Sequence, residues 1–230
     1  MHRLLRAHCA VASTGALRSP LRHLAARLLL LACGIVLATL ALAQGVAPVL
    51  LVVGDSISAG YGLARGEGWV DLLARRLARE GYRERIVNAS ISGDTTAGGR
   101  ARLPALLREH QPSIVVIELG GNDALRGGNL DATRANLDAM VKDVLGARAK
   151  PLLLGMQVPP NYGAAYARRF ASLFTDVAKA HKVPVVPYVF AGFGDDLAQF
   201  QDDRIHPKAT AEPRIVDNVW PALVPLLARR

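Results

Sequence analysis

The sequence predicts one doubly wound α/β domain with helices on both faces of a mostly parallel, five-stranded sheet, preceded by a separable N-terminal segment. Two observations predict it. From Val49 onward, short apolar runs alternate five times with longer amphipathic stretches, a pattern that builds a parallel sheet through right-handed crossovers. Clusters of Gly, Asn, Asp and Ser follow several of the apolar runs directly, at the strand ends where such folds hold their ligands.

Val49 to Val53 is continuously apolar and stops at Gly54, as expected of a strand buried on both faces. Trp69, Leu72, Leu73 and Leu77 then recur at helical spacing, and Arg85 to Asn88 is a second, shorter strand candidate. Leu103, Leu106 and Leu107 suit a helix that ends before Pro112. Ile114 to Leu119 is the clearest strand and runs into Gly120-Gly121. Leu137, Met140, Val141, Val144 and Leu145 mark another helix, with Asn129 or Asp131 as its cap. Leu152 to Leu154 is the fourth strand. Phe170, Leu173, Phe174 and Val177 mark a helix reaching His181, and Val183 to Val186 is a fifth strand interrupted by Pro184. A last helix is expected from about Ala209, started, kinked or broken by Pro213, Pro221 and Pro225.

Residues 1–43 stand apart. They hold five arginines and no acidic residue, then the apolar run Leu28 to Ala43, which ends in the small-x-small pattern Ala41-Leu42-Ala43 before Gln44. A basic stretch, an apolar core and such a site describe a secretory signal peptide, so export to the periplasm is expected. If the segment were retained it would be a membrane anchor, although it is short for a span. The domains are thus read as 1–43, export segment, and 44–230, functional domain.

This division removes several function classes. Of the +9 formal charge over 230 residues, the five N-terminal arginines leave +4 for residues 44–230, with acids and bases interspersed, so nucleic-acid binding is not expected. A content of 51% apolar and 20% charged residues excludes a disordered chain. Both cysteines, Cys9 and Cys33, lie in the export segment, which leaves the body without a disulfide, a thiolate nucleophile or a cysteine metal site.

Four clusters carry the chemistry. Gly54-Asp55-Ser56-Ile57-Ser58-Ala59-Gly60-Tyr61-Gly62 follows the first strand, and Asn88-Ala89-Ser90-Ile91-Ser92-Gly93-Asp94-Thr95 follows the second. Gly120-Gly121-Asn122-Asp123 follows the third, and Asp202-Asp203-Arg204-Ile205-His206-Pro207 precedes the last helix. Singly, each is an ordinary turn. Their joint occurrence in this order resembles the SGNH (GDSL-like) hydrolase family over nearly all of residues 49–224. The resemblance is strongest to its branch of thioesterases, lysophospholipases and arylesterases. Ile57 stands where the family's usual signature has Leu. The rival G-x-S-x-G pattern is absent, since Ser58 occupies the place of its second glycine.

The resemblance implies a flavodoxin-like three-layer α/β/α sandwich and a serine hydrolase of esters or thioesters. It assigns Ser56 as nucleophile, His206 as base and Asp203 as the carboxylate that orients the imidazole. It assigns the oxyanion donors to the backbone N–H groups of Ser56 and Gly93 and to the side-chain amide of Asn122. Elimination also bears on the base. Residues 44–230 hold only His110, His181 and His206, and the first two sit at helix ends, where the helix dipole accounts for them. Asp202 is read as a solvent-facing neighbour, and Asp55, Asp94 and Asp123 as loop scaffolding. No cofactor or metal is expected, because the chemistry needs none and three scattered histidines make a poor metal site.

The expected substrate is a lipid or small ester or thioester, with membrane contact only through an uncleaved N-terminal segment. Pro159, Pro160, Tyr162, Phe190, Phe193 and Leu197 either line an acyl groove or serve as loop packing. Carbohydrate O-deacetylation uses the same catalytic arrangement. A ligand-binding module without turnover would use the same strand-end crevice, but would not need Ser, Asn and Asp-x-x-His together.

Overall fold

The computed structural model describes residues 47–228, apart from the Pro160 side chain. The expected export segment and both cysteines lie outside the described residues. The body is one compact unit from Ala47 onward. Its sheet has five strands, all parallel: β1 (Val49–Gly54), β2 (Arg85–Asn88), β3 (Ile114–Glu118), β4 (Lys150–Leu154) and β5 (Val185–Val186). Their order is β2-β1-β3-β4-β5. This is the doubly wound arrangement that the alternating pattern predicts, parallel throughout rather than mostly.

Among the described residues there are seven helices, six between the strands and the last after β5: α1 (Ser56–Ala59), α2 (Trp69–Arg79), α3 (Thr96–His110), α4 (Gly121–Leu125), α5 (Leu130–Gly146), α6 (Ala164–His181) and α7 (Glu212–Leu223). On one face α3, α5 and α6 pack in succession, and on the other α2 packs on α7. Between the layers, β1, β3 and β4 form the core, with Leu50 to Val53, Val115 to Ile117 and Leu152 to Leu154 fully buried. At roughly 25 cal/mol per Å² of apolar surface withdrawn from water, these central strands supply much of the drive to fold.

Local chemistry sets the element ends. Asn129 caps α5 by accepting from the N–H groups of Asp131 and Ala132, so of the two expected caps it is Asn129 that serves. Thr95 caps α3, which begins well before its first apolar position and holds Pro104 inside. Strand β5 is only two residues long, because Pro184 has no N–H to offer the ladder; its carbonyl instead accepts from Leu153. The last helix starts at Glu212 rather than Ala209, with Pro213 in its first turn. Glu212 is buried and accepts from the Trp69 N–H at 2.6 Å, which caps α2 from across the molecule. That bond fixes the chain just beyond His206 against the start of α2.

The strand order reverses between β1 and β3. The chain first moves outward from β1 to β2, then returns to the other side of β1. Helices therefore leave the carboxyl ends of β1 and β3 toward opposite faces and open a crevice there. Ser56 follows β1 and Asn122 follows β3, so both border it.

Candidate active site

Strand β1 ends at Gly54, and the chain turns at once into α1. Asp55 is the cap of this short helix, accepting from the Ile57 N–H at 3.0 Å, which makes Ser56 its first residue. Gly54 is required by close packing. A Cβ there would lie 2.7 Å from Ser58 Oγ and 2.8 Å from Glu118 Oε2, both in the buried interior. The Ser56 N–H, in the first turn, has no intrahelical acceptor.

The segment 199–208 brings His206 to the serine. Phe200 and Pro207 form an antiparallel bridge that folds it back on itself, and Gln201 N–H donates to the His206 carbonyl at 2.8 Å. The Gln201 side chain donates to the Tyr61 and Pro207 carbonyls, tying this loop to the segment that follows Ser56. Between Asp203 and His206 the turn is tight, with Arg204 in the left-handed region at φ 59°. Asp203 Oδ1 accepts from the N–H groups of Ile205 and His206 and so holds the turn together.

The outcome is a continuous hydrogen-bonded chain. His206 Nε2 lies 2.8 Å from Ser56 Oγ, and His206 Nδ1 lies 2.7 Å from Asp203 Oδ2. Ionised Asp203 can only accept, which assigns the imidazole proton to Nδ1 and leaves Nε2 to accept from the serine hydroxyl. Partial burial alone would raise the Asp203 carboxyl. The hydrogen bonds from the His206 ring and from the two backbone N–H groups outweigh it and hold the group below its ordinary value. The Tyr61 ring lies over the imidazole, with centroids 4.5 Å apart.

Gly93 and Asn122 approach from two other loops. Ile91 N–H donates to the Gly54 carbonyl at 3.0 Å, pinning the second loop to the end of β1. Gly93 sits at φ 80°, a conformation that favours glycine, and its N–H has no acceptor among the described residues. Its carbonyl accepts from Arg126 Nη2 at 3.1 Å, which links it to the segment just after α4. Asn122, in α4, donates from Nδ2 to Asp55 Oδ2 at 3.1 Å.

Behind the serine lies a second carboxylate. Glu118, the last residue of β3, is wholly buried; its Oε2 accepts from Ser58 Oγ at 2.6 Å and from the Asp55 N–H at 3.4 Å. Burial, then the nearby Asp55 carboxylate, push its acid group well above the usual range. Asp55 is 2% exposed. Burial raises it to about 6, against hydrogen bonds from Ile57 and Asn122 and the attraction of His206. Sequence reasoning missed Glu118, although one acid at the end of an otherwise apolar, doubly covered strand was a legible signal.

The other acids and histidines have their own duties. Asp94 pairs with Arg102 at 2.8 Å, and Asp123 accepts from the Thr96 N–H at 2.9 Å, so both brace loops. Asp202 is exposed. His181 ends α6 and bonds to Asp138 at 2.6 Å, while His110 ends α3 beside Glu109. Among the described residues, no group of three or more His, Cys, Asp or Glu could hold a metal ion.

The expected acyl-groove residues divide. Phe190 and Phe193 are buried at 7% and 3% exposure in an aromatic cluster with Phe200, so they are core. Tyr162 is half-buried and donates to the Leu125 carbonyl at 3.1 Å, while Leu197 is exposed. The apolar side chains exposed beside the candidate triad are others: Tyr61, Ile91 and Ile205, one from each of three loops. Each neighbours a polar cluster residue, and the patterns that reveal strands and helices do not extend into such loops.

Residues 52–212 match the GDSL-like lipase/acylhydrolase family. The chain is 54% identical over 184 residues to esterase TesA of Pseudomonas aeruginosa, across 80% of this chain and 92% of that one. It is 42% identical over 181 residues to thioesterase 1/protease 1/lysophospholipase L1 of Escherichia coli K12, across 79% and 86%. A crystal structure of TesA superposes with a TM-score of 0.76, covering 78% of this chain and 99% of that one. The match extends from within β1 to the start of α7 and so takes in all four loops of the crevice: the chain belongs to the GDSL-like lipase/acylhydrolase family.

Proposed function

We propose that Ser56, His206 and Asp203 form the triad with which this serine hydrolase cleaves carboxylic esters and thioesters through an acyl-Ser56 intermediate. The observation that carries this reading is the unbroken hydrogen-bonded chain from Ser56 Oγ through the imidazole to Asp203, at 2.8 and 2.7 Å. His206 Nε2 takes the hydroxyl proton as Ser56 Oγ bonds to the substrate carbonyl carbon. Asp203 holds the ring and stabilises the imidazolium that forms. The carbonyl oxygen becomes an oxyanion, received by the Ser56 and Gly93 N–H groups and the Asn122 amide. The imidazolium then gives its proton to the departing alcohol or thiol, and water repeats the sequence on the acyl-enzyme.

Apolar side chains around the crevice favour an apolar acyl or aryl group over the acetyl group of a sugar. Among the described residues five large hydrophobic side chains are exposed, and Tyr61, Ile91 and Ile205 belong to the loops that also carry Ser56, Gly93 and His206. Residues 1–43 are the export signal in this reading. Protein recovered from the periplasm begins at Gln44 if it holds.

The test is release of p-nitrophenol from short- and long-chain acyl esters, beside a Ser56→Ala variant. Turnover should fall by about 10⁴-fold or more in the variant. Only the parent should be labelled by a fluorophosphonate. Equal turnover or equal labelling in both would remove Ser56 as nucleophile.

A further inference from the structure

We propose that Asp55 is a positioning residue, which fixes the Asn122 side-chain amide with its NH2 group toward the reacting carbonyl. The inference rests on the reading of Asn122 as an oxyanion donor. It assigns a role in turnover to a carboxylate that the sequence suggests is only a turn cap.

An asparagine amide has two near-isosteric ends with opposite chemistry. Nδ2 carries two donors, and Oδ1 only accepts. One Nδ2–H can serve an acceptor on the protein while the other faces the crevice, whereas a flipped amide would present lone pairs to a developing oxyanion. Something must therefore choose between the two orientations. Asp55 is built to do so. Its Oδ1 is engaged by the Ile57 N–H at 3.0 Å, and its Oδ2 receives Asn122 Nδ2 at 3.1 Å. A carboxylate is an acceptor at both oxygens, so only one orientation of Asn122 satisfies it.

The carboxylate is itself held from behind. Asp55 is 2% exposed, and its backbone N–H points at Glu118 Oε2, which Ser58 Oγ also engages at 2.6 Å. Glu118 anchors the backbone of Asp55 and the side chain of Ser58 through the same oxygen. The positions thus form a line from the sheet to the crevice: Glu118 at the end of β3, Asp55 at the cap of α1, then Asn122 in α4. In space Asp55 touches the amide, although 67 residues separate them in sequence.

Replacing Asp55 by Asn isolates this role, because shape is kept while one acceptor becomes a donor. The new amide satisfies Ile57 by keeping its oxygen there, which turns its NH2 group onto Asn122. Two facing NH2 groups repel, and the relief is a flip of Asn122. Asp55→Asn should then lower kcat as far as removing one oxyanion donor does, about 10²–10³-fold, with KM little changed.

The experiment is a double-mutant cycle with a p-nitrophenyl ester: parent, Asp55→Asn, Asn122→Ala and the double variant. In the Asn122→Ala background, Asp55→Asn should cost less than about threefold further, because its effect runs through an amide no longer there. Full additivity, or an Asp55→Asn variant as active as the parent, would overturn the positioning role while Asn122→Ala still cost 10²-fold or more. An Asn122→Ala variant of near-parent activity would overturn the oxyanion reading and this inference with it. If Asp55→Asn fails to fold, proton–nitrogen correlation spectra of the parent decide. The Asn122 side-chain protons, assigned by their disappearance in Asn122→Ala, should be widely separated with one protected from exchange. Two near-degenerate, rapidly exchanging protons would show a free amide and reject the proposal.

Discussion

Asp55 and Asp203 both lie one side chain away from the Ser56–His206 pair, and their surroundings drive them in opposite directions. Asp203 sits on an exposed turn with its side chain 36% accessible. Three hydrogen bonds converge on its carboxylate and hold it ionised. Asp55 is adjacent to Ser56 in sequence but enclosed between β1, β3 and α4, and burial pushes it up to about 6. The acid that bonds to the His206 ring is the one that water and backbone N–H groups can stabilise. The acid nearest the serine in sequence faces the amide of Asn122 instead. Distance along the chain therefore says little about duty; the set of donors around each carboxylate says more.

The largest effect that can break this contrast is expected at Asp203. Asp203→Asn keeps the size of the side chain but offers an NH2 group or a neutral oxygen where His206 Nδ1–H needs an anion. The wrong tautomer then competes, and kcat should fall about 10³–10⁴-fold. Thermal unfolding should move little, since the change lies on an exposed turn. A loss of less than tenfold would mean that the imidazole is oriented by something else.

Next comes the packing under Asp55. Gly54→Ala places a methyl group 2.7 Å from the Ser58 side chain and 2.8 Å from Glu118, where neither can retreat into solvent. Overpacking of this kind costs about 1–3 kcal/mol, to be read from denaturant unfolding. An unchanged midpoint would show that the region behind Ser56 is looser than its hydrogen bonds require.

These buried groups also show where sequence reading succeeds and where it stops. The strands were legible because β1 and β3 are covered on both faces and so read as unbroken apolar runs. The Ser56, Asn122 and Asp203–His206 clusters were legible because strand-end loops of this fold concentrate polar residues there. Short helices α1 and α4 were not, as each is about one turn long and lacks a repeating apolar face. The pairing of Asp55 with Asn122 had no local signal at all. Phe190 and Phe193 suited a groove or a core equally well until the chain was folded, since an aromatic residue in a loop carries no periodicity to choose between them.

A smaller effect separates the two acids by pH. A carboxyl whose pKa is raised on folding stabilises the native state below its unfolded value and loses that contribution as pH rises through the folded value. Asp55, lifted from 3.8 to about 6, and Glu212, lifted from 4.5 to about 7, both act in this sense, and so does Glu118. Asp203 acts oppositely: its contribution is present above the ordinary carboxylate range and disappears as pH falls. Glu118→Gln keeps an acceptor oxygen for Ser58 and the Asp55 N–H while removing the titration, so kcat at neutral pH should stay within about threefold of the parent. Above pH 5 its melting temperature should fall less steeply with pH than that of the parent. Parallel curves would mean that Glu118 is ionised in the native protein.

The smallest expected effect is the control that gives the comparison its meaning. Asp202 adjoins Asp203, and in the local sequence only the Asp-x-x-His spacing distinguishes the two carboxylates. In the folded chain Asp202 is exposed, while the Ile205 and His206 N–H groups and the His206 ring all bond to the carboxylate of Asp203. At such a distance from low-dielectric surroundings, removing one charge changes the field at His206 only weakly and in a salt-dependent way. Asp202→Asn should leave kcat/KM within about twofold of the parent and the midpoint of unfolding within about 0.5 kcal/mol. If the variant instead lost tenfold or more, the exposed turn would be exchanging between its two carboxylates. The single-partner geometry drawn for His206 would then describe only one of its states.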